Sequence, residues 1–364
     1  MSLGSVVCQL APGAGNPRNS EGAFLTLKDG RILFVFSRYC GDTWMDHASA
    51  DLAAITSADG GVSWSKPQTL FSCREAGVMN LMSVSLMRMA DGGVGLFYLS
   101  RVSWSDLRMK LARSYDEGEH FGEPVTCMDT PRYYVVNNDR VIRSAAGRLI
   151  IPAASHDTLY RPNAQGLLEP GFDSRAAACF FLSDDDGRSF RMAPGQVTLG
   201  HMAHSSSGLQ EPGVVELRNG VLWAWARTDL GRQYEMFSLD GGEHWTDSQP
   251  SWFTGPCSPL SVKRLPDGRL LAVWNPVPLY NGADENAGPS WNGGRTPLVL
   301  AVSGDEAVSW SRPKILEDQP DYGYCYTAIH PMEDAVLLAY CGGGPQDKGC
   351  LNRLVIRRIE YGAL

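Results

Sequence analysis

Seven side chains in this sequence have the types and positions to share one piece of chemistry. Arg18, Arg227 and Arg295 carry planar guanidinium forks of the kind that hold a carboxylate by paired hydrogen bonds. Asp42, Asp46 and Glu211 could accept or deliver protons, and Tyr326 offers a phenol. Their spacing is regular when counted back from a recurring tight turn. Arg18 lies 11 residues before Asp29, Glu211 lies 8 before Asn219, and Tyr326 lies 8 before Asp334. Asn138 lies 8 before Ala146, which makes Asn138 and the nearby Arg140 further candidates for substrate contact. A two-residue turn at Asn219-Gly220 would pair Pro212 with Arg227 and bring Glu211 beside that arginine. Asp42 and Asp46 belong to one long loop and Arg295 to another, and both loops open toward the same rim. Strand-end arginines and core tyrosines are common singly, but a shared offset is harder to assign to packing.

The elements that position these groups are repeated hairpins. The stretch Ser57–Trp64 reads S-x-D-x-G-x-x-W, and its skeleton returns at residues 114–121, 183–190, 238–245 and 303–310, the last with Ala307 in place of glycine. The five starts are 57, 69, 55 and 65 residues apart, a period that marks repeated supersecondary units. In each box the aspartate can accept backbone N–H bonds from its own turn, and glycine supplies a backbone shape other residues resist. A second hairpin interleaves with the first. Leu27-Lys28-Asp29-Gly30 recurs at residues 89–92, 144–147, 217–220 and 265–268, with a degraded copy at Met332-Glu333-Asp334-Ala335. Together they give six four-stranded antiparallel units, the sixth closing with Leu354–Arg357 and an N-terminal strand near Val6-Val7. The expected fold is therefore all-β, a six-bladed β-propeller forming one domain over residues 1–364. Alternating strand direction then puts the boxes on one rim and the candidate site on the other.

Composition narrows the function classes. The formal charge of −8 argues against a nucleic-acid partner. No apolar run approaches the roughly 18–20 residues of a membrane span. Met1-Ser2-Leu3-Gly4 lacks the regions of a secretory leader, so a cytoplasmic protein is expected, or a secreted one if the N-terminus was trimmed. The nine cysteines show no ligand spacing and read as buried free thiols. His201-x-x-His204, in a Ser/Gly-rich loop, reads as solvated or structural, so neither a metal nor a cofactor is expected. His156 and Trp252 are loop residues within reach of the mouth, though surface packing is the commoner use of such residues.

Nearly the whole chain resembles the Asp-box sialidases (neuraminidases). The likeness rests on the repeated S-x-D-x-G-x-x-W, on Arg18 followed by Gly30-Arg31-Ile32-Leu33, and on Glu211-Pro212-Gly213-Val214 leading to Trp225-Ala226-Arg227. Gly294-Arg295 and Tyr326-Thr327-Ala328-Ile329 complete it. The resemblance implies an exo-glycosidase that removes terminal sialic acid, or a related acidic sugar, with retention of configuration. Arg18, Arg227 and Arg295 would bind the sugar carboxylate, Tyr326 would be the nucleophile, Glu211 its base, and Asp46 (or Asp42) the acid. A phenol suits this task because a carboxylate nucleophile would be repelled by the substrate's own carboxylate. The chain departs from the family where Asn19-Ser20-Glu21 replaces the usual Ile-Pro and where Thr327 replaces the usual serine. These departures keep open a propeller glycosidase acting on another sugar, and a non-catalytic carbohydrate-binding propeller.

Overall fold

In the computed structural model, residues 3–200, 205–278 and 293–364 are described; the His201-x-x-His204 motif lies outside them. The described residues contain no α-helix and are built from short antiparallel strands. Strand β1 (Ser5–Leu10) precedes a four-stranded sheet of β2 (Asn19–Thr26), β3 (Ile32–Tyr39), β4 (Ala50–Ser57) and β5 (Gln68–Phe71). Next come β6 (Asn80–Arg88), β7 (Val94–Ser103), β8 (Asp106–Ser114) and β9 (Val125–Thr126). The third run is β10 (Tyr133–Val135), β11 (Ile142–Arg143), β12 (Leu149–His156), the separate hairpin β13 (Thr158–Pro162) and β14 (Leu168–Phe172), then β15 (Ala177–Ser183) and β16 (Arg191–Met192). A parallel pairing of Tyr133 with Leu107 joins these last two runs into one nine-stranded sheet.

Two further four-stranded sheets follow: β17 (Gln210–Glu216), β18 (Leu222–Arg227), β19 (Arg232–Ser238), β20 (Gln249–Thr254), and then β21 (Ser261–Arg264), β22 (Leu270–Trp274), β23 (Leu298–Ser303), β24 (Lys314–Glu317). The last sheet is β25 (Gly323–Pro331), β26 (Ala335–Gly343), β27 (Leu354–Glu360) and the N-terminal β1, whose Ser5 pairs with Arg358. The chain's beginning is thus stitched to its end, as the sequence pattern requires.

Alternate residues along these strands are apolar, and each face is buried against the neighbouring sheet. Val35, Leu52 and Leu33 pack on Leu81, Leu86 and Leu96 of the next unit. At the other end of the order, Phe34, Phe36 and Ile55 of the first sheet pack on Leu337, Leu354 and Ile356 of the last. The Asp boxes join neighbouring sheets by polar contacts. Ser57 Oγ donates to Asp59 Oδ1 (2.8 Å), and the N–H of Ser63 donates to the same oxygen (2.9 Å). In three of the five boxes the residue after the aspartate reaches across: Glu117 accepts from the N–H of Lys28, Asp186 from Ala90, and Glu306 from Arg218. Trp245 of another box stacks on Phe180 at 3.8 Å between ring centroids.

The tight turns differ in one respect from the two-residue form expected. The N–H of Leu217 bonds to Val221 O, and the N–H of Gly220 bonds to Leu217 O, so the loop has three residues. Only Gly220 has a left-handed φ (+81°), whereas the two-residue type needs one at Asn219 as well. The register therefore moves by one residue, and Gly213 faces Trp225. A bulge then places Gln210, not Pro212, opposite Arg227.

Candidate active site

Bulges of this kind build the site. Register breaks occur between Ser20 and Gly22, Met82 and Ser85, Gln210 and Gly213, and Cys325 and Ala328. Within those breaks Glu21, Ser83, Glu211 and Tyr326 have φ of +44°, +55°, +46° and +59°. A bulge twists the strand and re-aims a side chain. All four of these side chains line one cavity of about 480 Å³. Close packing holds the bulge at Glu211 in place, since a Cβ on Gly213 would lie 2.5 Å from the Trp225 ring.

Tyr326 and Glu211 meet there. Tyr326 Oη donates to Glu211 Oε1 (3.3 Å) and accepts from Arg227 Nη1 (3.2 Å). Arg227 Nη1 also lies 3.0 Å from Glu211 Oε2, while its Nε and Nη2 donate to Gln210 Oε1. The shifted register thus still delivers the expected Glu211–Arg227 contact. Burial pushes the Tyr326 phenol above its ordinary pKa, and Glu211 adds to that; Arg227 and Arg295 pull the other way. Ionising Tyr326 therefore needs a partner that takes its proton, and Glu211 is in contact with it.

Arg18, 1 % exposed, forms the opposite wall. Its Nη1 donates to Asp46 Oδ1 (2.5 Å), and its Nη2 donates to Glu21 Oε2 (3.2 Å) and Ser20 Oγ (3.1 Å). Partial withdrawal from solvent would raise the Asp46 carboxyl, but Arg18, with Arg101 and Arg295 farther off, holds it below its ordinary value. The Asp46 side chain is 66 % exposed at the cavity mouth, so solvent tempers that pull. Asp42 is exposed and does not line this cavity, which leaves Asp46 as the mouth's carboxyl. Arg295 stands behind the lining, its guanidinium carbon 5.3 Å from the centre of the Tyr326 ring and its Nη1 3.3 Å from Cys325 Sγ.

Two expected substrate contacts are not part of the cavity. Asn138 is buried, donating to Gly22 O and Tyr326 O, and so ties two bulged strands together. Arg140 spends its charge on Leu260 O and Ser261 Oγ beneath Trp225. Burial pushes Arg140 down to about 10. The inner strand of this unit is broken into β10 and β11, so counting back from its turn does not reach the cavity. Their neighbour Asn137 does line it and donates to Glu211 Oε2 at 3.5 Å.

Several lining residues escaped sequence reasoning. Arg101 at the end of β7 and His156 at the end of β12 occupy the place that Arg227 holds in β18, and both line the cavity. Arg101 donates to Tyr133 Oη (2.7 Å). His156 is 3 % exposed and ends a strand in the lining, so of its two readings reach to the mouth holds and surface packing does not; Trp252, at 57 %, packs against Phe253 and Trp274 away from the site. Trp44, Met45 and Trp104 are exposed at the mouth, where His47 packs against Trp104. All nine cysteines are free thiols. Among the described residues no group of His, Cys, Asp or Glu could hold a metal ion.

The repeats, the box geometry and the matching residues decide the family. Residues 49–338 match the BNR repeat-like domain. The chain belongs to the sialidase-like BNR repeat superfamily. Solved structures agree on the fold. A protein of unknown function from Dyadobacter fermentans superposes with a TM-score of 0.70 at 18 % identity, covering 98 % of this chain and 99 % of its own. A Hadza microbial sialidase gives 0.72 at 15 % identity, over 96 % of this chain and 67 % of that one. The intramolecular trans-sialidase of Ruminococcus gnavus, solved with oseltamivir carboxylate, gives 0.68 at 16 % identity over 96 % and 97 %. No curated protein matches the sequence.

Proposed function

We propose that this BNR protein is a retaining exo-glycosidase of the sialidase type, acting on a terminal sialic acid or a related acidic sugar. One observation carries the reading: Tyr326 Oη sits between Glu211 and Arg227 in a cavity whose far wall is Arg18. Arg227 and Arg18 would hold the sugar carboxylate and fix the ring, and Arg295, behind Tyr326, would add its charge from outside the lining. Glu211 takes the phenolic proton as Tyr326 Oη bonds to the anomeric carbon. A sugar carboxylate that takes Arg18 from Asp46 removes the charge that holds that carboxyl down, and Asp46, then protonated, gives its proton to the departing glycosidic oxygen. Asp46 then removes a proton from water, the water oxygen replaces Tyr326 at the same carbon, and Tyr326 regains its proton. Two displacements give net retention. The scaffold we propose is a six-bladed propeller spanning the chain, with the nine-stranded sheet counted as two blades. The sheet-on-sheet cores and the closure of β1 onto β27 support this.

A different sugar is the second reading, favoured by Glu21, whose carboxylate occupies Arg18. Release of sugar from a panel of aryl glycosides tests both. Hydrolysis of a sialoside with initial retention is expected; hydrolysis of a hexuronide or arabinoside alone would replace sialic acid as the substrate. Hydrolysis of none would leave a binding protein.

A further inference from the structure

Four bulged residues are aimed into the cavity, and the proposed chemistry uses only two of them. Ser83 is small. Glu21 carries a carboxyl group, only 5 % exposed, and the proposed reaction gives it no role. Its Oε2 takes both of its side-chain hydrogen bonds, from Arg18 and Ser20. Glu21 also changes the charge balance. Arg18, Arg101, Arg227 and Arg295 stand against Glu21, Asp46 and Glu211, and the Glu21 carboxylate lies on the arginine that a sugar carboxylate would need.

We propose that Glu21 is a specificity-determining residue that sets how strongly the site grips an anionic sugar. Ionised, it satisfies Arg18 and repels a second carboxylate; protonated, it releases Arg18 to the ligand. This inference rests on the site taking an anionic sugar. The groups facing Glu21 are Arg18 on the segment entering β2, Tyr39 on β3, Asp46 on the β3–β4 loop, Glu211 on β17, Tyr326 on β25 and Cys341 on β26. Burial lifts the Glu21 carboxyl to about 7; Arg18 opposes the rise, while Asp46 and Glu211 add to it. Its charge therefore changes within the ordinary working range of pH. A bound carboxylate would raise that value further, so binding above it must take up a proton.

The test is calorimetric titration of the full chain and of Glu21→Gln with N-acetylneuraminic, glucuronic and galacturonic acids between pH 5.5 and 8.5. For the sugar that binds, the wild-type Kd should be flat at low pH and rise by up to about tenfold per pH unit above the Glu21 pKa. Glu21→Gln should remove that slope and bind about tenfold tighter at pH 8.5. Equal slopes in the two proteins would assign the titration to another group and overturn the role of Glu21 while leaving the anionic site intact. Binding of none of the three acids by either protein would instead overturn the anionic-sugar reading, and this inference with it. If Glu21→Gln does not fold, Glu21→Asp keeps an ionisable group and should keep a slope with a moved midpoint; a flat wild-type profile sinks the proposal without any variant.

Discussion

Replacing Tyr326 with phenylalanine removes one oxygen atom and little else. The ring keeps its place against Arg295, and the strand keeps its bulge. Glu211 and Arg227 remain paired at 3.0 Å, and Gln210 still accepts from Arg227, so no buried charge loses its last partner. The two hydrogen bonds lost are long, 3.2 and 3.3 Å. A stability change of no more than about 1 kcal/mol is expected, equivalent to a Tm fall of a few degrees at most. The catalytic effect should be of another order. If Tyr326 forms the bond to the anomeric carbon, its loss should lower kcat by at least ~10³-fold, or about 4 kcal/mol of barrier. Glu211→Gln should cost ~10²–10⁴-fold by leaving the phenol without a base. The assay is hydrolysis of an aryl sialoside, with melting curves on the same preparations. A Tyr326→Phe enzyme that folds normally and works within tenfold of wild type would refute the nucleophile assignment.

Asp46→Asn should lose ~10²-fold or more on a sialoside with a sugar leaving group, yet under tenfold on a nitrophenyl sialoside, whose leaving oxygen needs no proton; equal losses on both would remove Asp46 as the acid. The Asp boxes predict an acid limit to stability. Hydrogen bonds, led by those from Ser63 to Asp59 and from Ser309 to Asp305, hold both carboxyls down to about 2. The ordinary value is ~3.9, so their stabilisation is full above about pH 4 and disappears as pH falls through about 2. Urea midpoints measured from pH 5 to pH 2 should fall across that window, and less steeply in Asp59→Asn. Arg140→Met should lower the Tm while leaving KM unchanged, because its partners are Leu260 and Ser261 and not a ligand; a raised KM would return Arg140 to the site.

The repeats were legible because their chemistry is local. A serine, an aspartate and a glycine within a few residues close four of the boxes, Ala307 takes the glycine's place in the fifth, and those bonds form wherever the unit sits. Closure of the last sheet by β1 was legible for the same reason, since five boxed hairpins leave one unit short of a strand. The site was less so. Arg227 was found through its neighbour Glu211, but Arg101 and His156 end equivalent strands without such a neighbour. The strand endings Tyr98-Leu99-Ser100-Arg101 and Trp225-Ala226-Arg227 share the signal that would have found Arg101. Glu21 was visible only as a departure from the family pattern. Which way its side chain points depends on one extra residue in the register, and alternation of apolar residues does not report that.

The bulged positions connect fold to function more directly than any one contact. A left-handed φ at a residue other than glycine costs on the order of 1–3 kcal/mol, and glycine would adopt the same backbone at less strain. What glycine could not do is present a carboxylate, a hydroxyl or a phenol to the cavity, as Glu21, Glu211, Ser83 and Tyr326 do. Asp139, at +57°, shows the structural use of the same device. Its carboxylate accepts from Lys263 Nζ at 2.6 Å and from the N–H of Ile329, joining three sheets through one side chain. Strain at Asp139 is thus offset by contacts visible in the fold. At Glu211 the 3.0 Å ion pair with Arg227 is a contact of the same kind, whereas the phenol of Tyr326 makes only hydrogen bonds of 3.2 and 3.3 Å. Packing of the bulge adds to this at Glu211, where Gly213 lies against the Trp225 ring and fixes the backbone that presents the carboxylate to the cavity.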